Sequence, residues 1–76
     1  MTSPAGIAAL GHEVEVAGFA LAGVAVHAVE SPADAVAAWS ALPDTTGLVI
    51  LGPDAARALA TQATARPDRL TVVLPA

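Results

Sequence analysis

The sequence lacks cysteine and lysine altogether, and its only strongly basic side chains are Arg57, Arg66 and Arg69. Without cysteine, disulfide bonds and thiolate metal sites are excluded, and the composition fits a reducing compartment. Because the formal net charge is −4 and no basic stripe exists, we expect no binding to nucleic acid. The same deficit excludes a polybasic contact with a membrane surface.

Long hydrophobic runs are missing as well. The longest covers residues 16–26, whereas a helix needs about 20 apolar residues to cross a bilayer. We interpret this run as buried core and expect no direct insertion into a membrane. The first residues carry no basic cluster ahead of an apolar segment, so no signal peptide is predicted.

Large apolar side chains are few, although hydrophobic residues make up 55% of the chain. Twenty of them are alanines, which bury little surface and contribute little to the free energy of folding. Residues 1–76 therefore predict one small domain of marginal stability, with an alanine-rich surface that another chain could approach closely.

Apolar runs alternate with helical patterns along the chain. Four short strands are predicted at residues 7–10, 24–29, 48–51 and 70–74. Three helices are predicted between them: at residues 13–21, at residues 32–42, and between the opening at residues 52–54 and the break at residues 66–68. Crossovers of this length join parallel strands, and they are right-handed in nearly all proteins.

The first two helices have different signals. The first is predicted from an apolar stripe of Val14, Ala17 and Leu21 and from Gly23, which tolerates a left-handed C-terminal cap. Phe19 and Leu21 are expected to pack in the core.

The second helix has a stronger start signal, because Ser31 is placed to cap it and Pro32 suits the first helical position. Its predicted buried stripe is Ala35, Trp39 and Leu42. In the third helix, the face predicted to be apolar contains Ala56, Leu59, Ala60 and Ala63.

We predict an α/β fold with a four-stranded parallel sheet in the order 2-1-3-4 and three helices, similar to flavodoxin and to receiver domains. In that order the chain leaves strands one and three in opposite directions, so the loops at residues 11–13 and 52–54 meet over a crevice. Any site is expected there. The candidate partner-binding residues are His12, Glu13, Pro53 and Asp54.

Catalytic and cofactor motifs fail at the positions that their chemistry requires. Gly6 and Gly11 have the spacing of a phosphate-binding loop, but His12 and Glu13 stand where lysine and a hydroxyl residue are needed. A phosphorylated receiver needs an aspartate after the third strand, where this chain has Gly52, and a later lysine. No serine lies in a nucleophile elbow. We therefore predict no catalytic residue and no cofactor.

A metal site is not predicted either. The histidines and nearby acids, His12 with Glu13 and Glu15, and His27 with Glu30, match no spacing typical of metal ligands.

Several segments resemble the F subunits of the vacuolar/archaeal-type rotary ATPases. That family begins with a short apolar strand, a glycine and acidic residues, followed by a Gly-Phe-x-Leu-Ala-Gly segment. Here the strand at residues 7–10 precedes Gly11, Glu13 and Glu15, and residues 18–23 read Gly-Phe-Ala-Leu-Ala-Gly. A Glu-x-Pro helix start at residues 30–32 and a strand at residues 47–51 also fit, and the last predicted strand closes at Pro75.

The resemblance implies a receiver-like, non-catalytic subunit of the central stalk. It would bind the coiled-coil shaft subunit and turn with it in an ATPase or ATP synthase that couples ATP to proton or other ion transport. It would be cytoplasmic and peripheral to the membrane through that complex. Family members usually continue from the last strand into a C-terminal helix, and because this sequence stops at Ala76 the regulatory role of that helix is not carried over. The alternative is a receiver-like ligand-sensing or protein-interaction module unrelated to ATPases.

Overall fold

A four-stranded parallel sheet forms the centre of the computed structural model, which describes residues 6–75. The strands are β1 (Ile7–Gly11), β2 (Ala25–Ala28), β3 (Leu48–Leu51) and β4 (Leu70–Val73). Their order is β2-β1-β3-β4, and every neighbouring pair is parallel. The predicted fold class and strand order are therefore confirmed, and the order is that of the first four strands of the flavodoxin-like arrangement.

The helical segments differ in part from the prediction. They are α1 (Glu13–Val16), a 3₁₀ helix (Ala17–Ala22), α2 (Pro32–Ala41), α3 (Pro53–Ala58) and α4 (Ala60–Thr64). The predicted third helix is interrupted at Leu59, whose φ of −104° and ψ of 10° lie outside the helical range. Of the face predicted to be apolar, Leu59 is fully buried, whereas Ala60 is exposed.

Helix α2 begins as its local signals predict. The Ser31 hydroxyl accepts a hydrogen bond from the Asp34 amide at 3.1 Å, and Pro32 occupies the first turn, where no amide hydrogen is needed. The stripe predicted from the sequence is confirmed, because Ala35, Trp39 and Leu42 are all buried.

The prediction for the segment after β1 is partly wrong. Val14 and Leu21 are 92% and 95% exposed, and Val16 is the buried residue of α1. A regular helix would keep residues i, i+3 and i+7 on one face, but α1 is a single turn and the 3₁₀ helix advances three residues per turn. Phe19 is half-buried and lies outside the buried core. The cap prediction is confirmed, since Gly23 has a φ of 81°.

The main core lies between one face of the sheet and helices α2 and α3. Alternate residues of β1 and β3 point to this side, because successive side chains of a strand face opposite ways. Ala9 and Val16, both fully buried, pack on the opposite side, which α1 covers. The core cluster consists of Ala8, Leu10, Val29, Ala35, Trp39, Leu42, Val49, Leu51, Ala55 and Leu59.

Arg69, the residue before β4, is a buried cation that connects this strand with α2 and with the loop that follows α2. Its guanidinium donates hydrogen bonds to the carbonyl oxygens of Thr46 and Pro43, at 3.0 and 3.1 Å, and its Cζ lies 4.7 Å from the centre of the Trp39 ring. Burial lowers the pKa of Arg69, because removal from water disfavours the charged form. The two carbonyls and the aromatic face offset that cost.

No helix of the described residues covers β3 and β4 on the side of the sheet opposite α2 and α3. Register places Ile7, Leu48 and Leu70 in one row, and Ile50 and Val72 in the next. Leu70 is 68% exposed and Val72 is 50% exposed. We call these five residues the open sheet face. Within residues 6–75, no helix is both long and apolar enough to cross a membrane.

Candidate functional site

A crevice lies at the carboxyl edge of the sheet, where the chain leaves β1 toward β2 and leaves β3 toward β4. Such switch points are where open α/β sheets bind ligands. The loops after β1 and β3 meet there as predicted: Nε2 of His12 lies 2.8 Å from Oδ2 of Asp54. The two residues are 42 positions apart in the sequence, so their contact is a product of the strand order.

His12 is held between two carboxylates. Besides the Asp54 contact, its Nδ1 lies 3.4 Å from Oε1 of Glu30, which follows β2. A neutral imidazole donates from one nitrogen only, whereas a protonated imidazole donates to both carboxylates. Because β2 is the other neighbour of β1, the crevice draws one polar residue from the end of each of three adjacent strands.

Asp54 is already paired on both of its oxygens. Oδ2 faces His12, and Oδ1 accepts a hydrogen bond from the guanidinium of Arg57, one turn later in α3. The Arg57 and Asp54 side chains are 73% and 58% exposed, so this ion pair lies in water and is weak. The crevice thus contains two carboxylates, one guanidinium and an imidazole.

A cleft of about 420 Å³ opens beside these side chains, within the size range of small-molecule sites. Its floor is apolar and made of small side chains: Val29, Ala35, Ala55 and Ala58. Its rim is polar or charged, apart from one proline: His12, Glu30, Ser31, Pro32, Asp54 and Arg57. The alanines matter here, because larger residues at the facing ends of α2 and α3 would fill the space.

Glu15 supports the crevice from the opposite side. Its Oε1 accepts a hydrogen bond from the His12 amide at 3.0 Å, which fixes the backbone at the start of α1. The carboxylate lies against Gly11 and Gly52, the last residue of β1 and the residue after β3. A Cβ on Gly11 would come within 2.9 Å of Oε1, and one on Gly52 would overlap it. The two glycines thus leave room for the Glu15 carboxylate in the position where it binds the His12 amide.

The four residues predicted as a site are only partly brought together. His12 and Asp54 line the cleft, but Glu13 and Pro53 do not. Glu13 is exposed on α1, where it forms no ion pair with any residue from 6 to 75. Pro53 is half-buried and starts α3, so its effect on the crevice is indirect.

Two cleft residues were missed by the sequence reasoning, Glu30 and Arg57. Glu30 follows the second predicted strand, which is a neighbour of β1 in the predicted order. Its position at the end of that strand therefore indicates the crevice. Arg57 stands three positions after Asp54 in a helix, a spacing that brings side chains together. Both signals were present in the sequence.

Across the described range, 6–75, no three histidine, cysteine or carboxylate side chains are arranged as ligands of one ion. The Ser31 hydroxyl is occupied with the cap of α2.

The fold and the crevice together define a class of protein: a doubly wound α/β domain with a charged-rim, apolar-floored cleft at its switch point. No family model, curated protein or solved structure matches the chain. Its function is therefore proposed from the cleft and from the sequence segments described above.

Proposed function

We propose that this chain is a non-catalytic docking subunit, namely the central-stalk F subunit of a vacuolar/archaeal-type rotary ATPase, which binds the coiled-coil shaft. The observation that carries the proposal is the crevice in which His12 and Asp54 meet, at the switch point of a β2-β1-β3-β4 sheet. The order of segments that resembles this family supports it. In this role the protein would be cytoplasmic and attached to the membrane only through the complex.

The chemistry of the crevice favours docking over catalysis. A general base needs a free lone pair near the substrate, and a nucleophile needs an activating base. Glu30 keeps one free oxygen, but Asp54 is paired on both oxygens, His12 stands between two carboxylates, and the Ser31 hydroxyl caps α2. Exposed ion pairs of this kind exchange readily for pairs with another protein, and they govern association rate and orientation.

A ligand-sensing module unrelated to ATPases is the second candidate. The size and apolar floor of the cleft favour it, because a small molecule of ordinary size would fit there.

Co-expression with the shaft subunit encoded nearest to this chain, followed by size-exclusion chromatography, tests the docking proposal. We expect the two chains to elute together, and we expect the thermal midpoint of this domain to rise on binding because the partner binds the native state. Separate elution at micromolar concentration would reject the proposal and favour the ligand-sensing module.

Charge reversal shows which surface is used. Asp54→Lys should weaken binding of the shaft, most strongly at low ionic strength, where charges at an interface are least screened. Glu13→Lys tests the predicted site residue outside the cleft, and we expect a smaller loss. Asp44→Lys is the matched control, because it makes the same charge change in an exposed loop far from the crevice. This loop precedes β3 and lies at the end of the sheet where the strands begin. A loss for Asp44→Lys equal to that for Asp54→Lys would place the contact away from the crevice.

A further inference from the structure

We propose that the cleft accepts one alkyl guanidinium or alkylammonium group, presented as an arginine or lysine side chain on the surface of the docking partner. The source of the group rests on the proposed function, but the chemistry of the cleft does not. The inference names what the crevice recognises: a long aliphatic stem that ends in a cation.

The floor fits the stem of such a side chain. Val29, Ala35 and Ala55 are buried, and with Ala58 they line the cleft with small apolar groups. Arginine and lysine lay their methylene groups along apolar surface and keep the charged end near water. A purely polar ligand would leave this floor unused.

The rim selects a cation rather than an anion. Glu30 and Asp54 stand on either side of His12, and Oε2 of Glu30 accepts no hydrogen bond from another described residue. At the start of α2 an anion would find few amide hydrogens, because Pro32 has none and the Asp34 amide donates its hydrogen to the Ser31 hydroxyl, which leaves that of Ala33. Asp34 in turn accepts the Glu30 amide at 3.3 Å. Few donors on this side are thus left for an anion, whereas Oε2 of Glu30 remains as an acceptor for a guanidinium.

In the free protein, the guanidinium of Arg57 occupies part of the cation position beside Asp54. It belongs to the rim, its guanidinium pairs with Asp54, and it is largely exposed, so little holds it there. A partner cation competes with Arg57 for Asp54 and is repelled by it. Replacing Arg57 with methionine, which keeps an unbranched stem without the charge, should therefore tighten cation binding. An exposed pair is weak, so we expect about a two- to fivefold gain.

The test uses Nα-acetyl-arginine N-methylamide as the probe and amide chemical shifts of the ¹⁵N-labelled domain as the readout. We expect saturable shifts at millimolar probe concentration, centred on His12, Glu30 and Asp54. The corresponding citrulline compound has the same shape without the charge, and we expect no saturable shift from it. Glu30→Gln should weaken probe binding several-fold. Asp44→Asn makes the same kind of change at the far edge of the sheet and should leave binding unchanged.

Three results would overturn the inference: no saturable shift with the arginine probe, equal shifts with the citrulline probe, or weaker binding in Arg57→Met. The titration needs no partner, so its outcome is separable from that of the docking proposal. Cleft shifts without co-elution of the shaft would support the cation site and reject docking. Co-elution of the shaft without cleft shifts would do the reverse.

Discussion

Gly52 is the residue at which adding one methyl group should have the clearest effect. Its φ of −68° and ψ of 163° suit any residue, so only space is at issue. A Cβ there would overlap the Glu15 carboxylate. Gly52→Ala should therefore displace the Glu15 side chain and cost its hydrogen bond to the His12 amide, which lowers the free energy of unfolding by about 0.5–1.5 kcal/mol. Urea denaturation measures the change.

A second substitution separates this clash from other causes. Glu15→Ala removes the carboxylate, so the double variant should be more stable than the sum of the two single effects predicts. Gly18→Ala is the control, because no atom comes within 4 Å of a Cβ at that position. Equal stability of the Gly52→Ala and Gly18→Ala variants would contradict the argument.

Arg69 is the second residue for which the structure predicts a large effect. Arg69→Ala removes two hydrogen bonds from a buried cation and the contact with Trp39, and we expect a loss of about 2–4 kcal/mol in the free energy of unfolding. Arg57→Ala is the same substitution at an exposed ion pair and should change stability by less than about 0.5 kcal/mol. Similar urea midpoints for both variants would show that the buried contacts of Arg69 contribute little.

Among the elements, the segment after β1 and the end of α3 show that similar sequence patterns can lead to different burial. Leu21 and Leu59 were both predicted to be buried, but Leu21 is exposed on the 3₁₀ helix and Leu59 is in the core. The same change at both positions is a direct test. Leu59→Ala should cost about 2–5 kcal/mol, whereas Leu21→Ala should stay within about 0.5 kcal/mol. A large loss for Leu21→Ala in thermal or urea unfolding would mean that this residue packs in solution.

The elements that could be predicted are those with local signals or continuous apolar runs. The cap at Ser31 and Pro32 marks α2 within a few residues, and β3 is an apolar run whose predicted bounds are confirmed. The segment after β1 has three apolar residues at helical spacing by coincidence. Whether Val14 or Val16 is buried depends on how α1 packs against β1, which the periodicity of the sequence does not contain.

The candidate site could also be predicted only in part. Strand order alone brings His12 to Asp54, because both follow strands that are neighbours at the switch point. Strand order does not predict the directions of the side chains. Glu13 stands next to His12 in the sequence, but as the first residue of α1 it does not line the cleft. The contact of Arg57 with Asp54 depends on the rotamer of the arginine.

At the scale of the whole molecule, the open sheet face is an apolar surface that no helix within residues 6–75 covers. Exposed patches of this kind bind hydrophobic dyes and favour association. We expect the native protein to enhance the fluorescence of anilinonaphthalene sulfonate, and we expect Val72→Lys to reduce that enhancement. Thr71→Lys changes the neighbouring residue, which points to the other side of β4, and should leave the signal nearly unchanged. Equal reductions in the two variants would show that the dye does not bind this face.

The position of Arg69 over Trp39 also gives the molecule an optical property. The chain has one tryptophan and no tyrosine, so its emission under ultraviolet excitation comes almost entirely from a single indole. The guanidinium carbon of Arg69, the residue before β4, lies 4.7 Å from the centre of that indole ring. Detachment of the edge strand would remove the charge from the ring while the rest of the core still holds the indole. The emission spectrum should therefore report the docking of β4 as an event distinct from global unfolding, without any attached label.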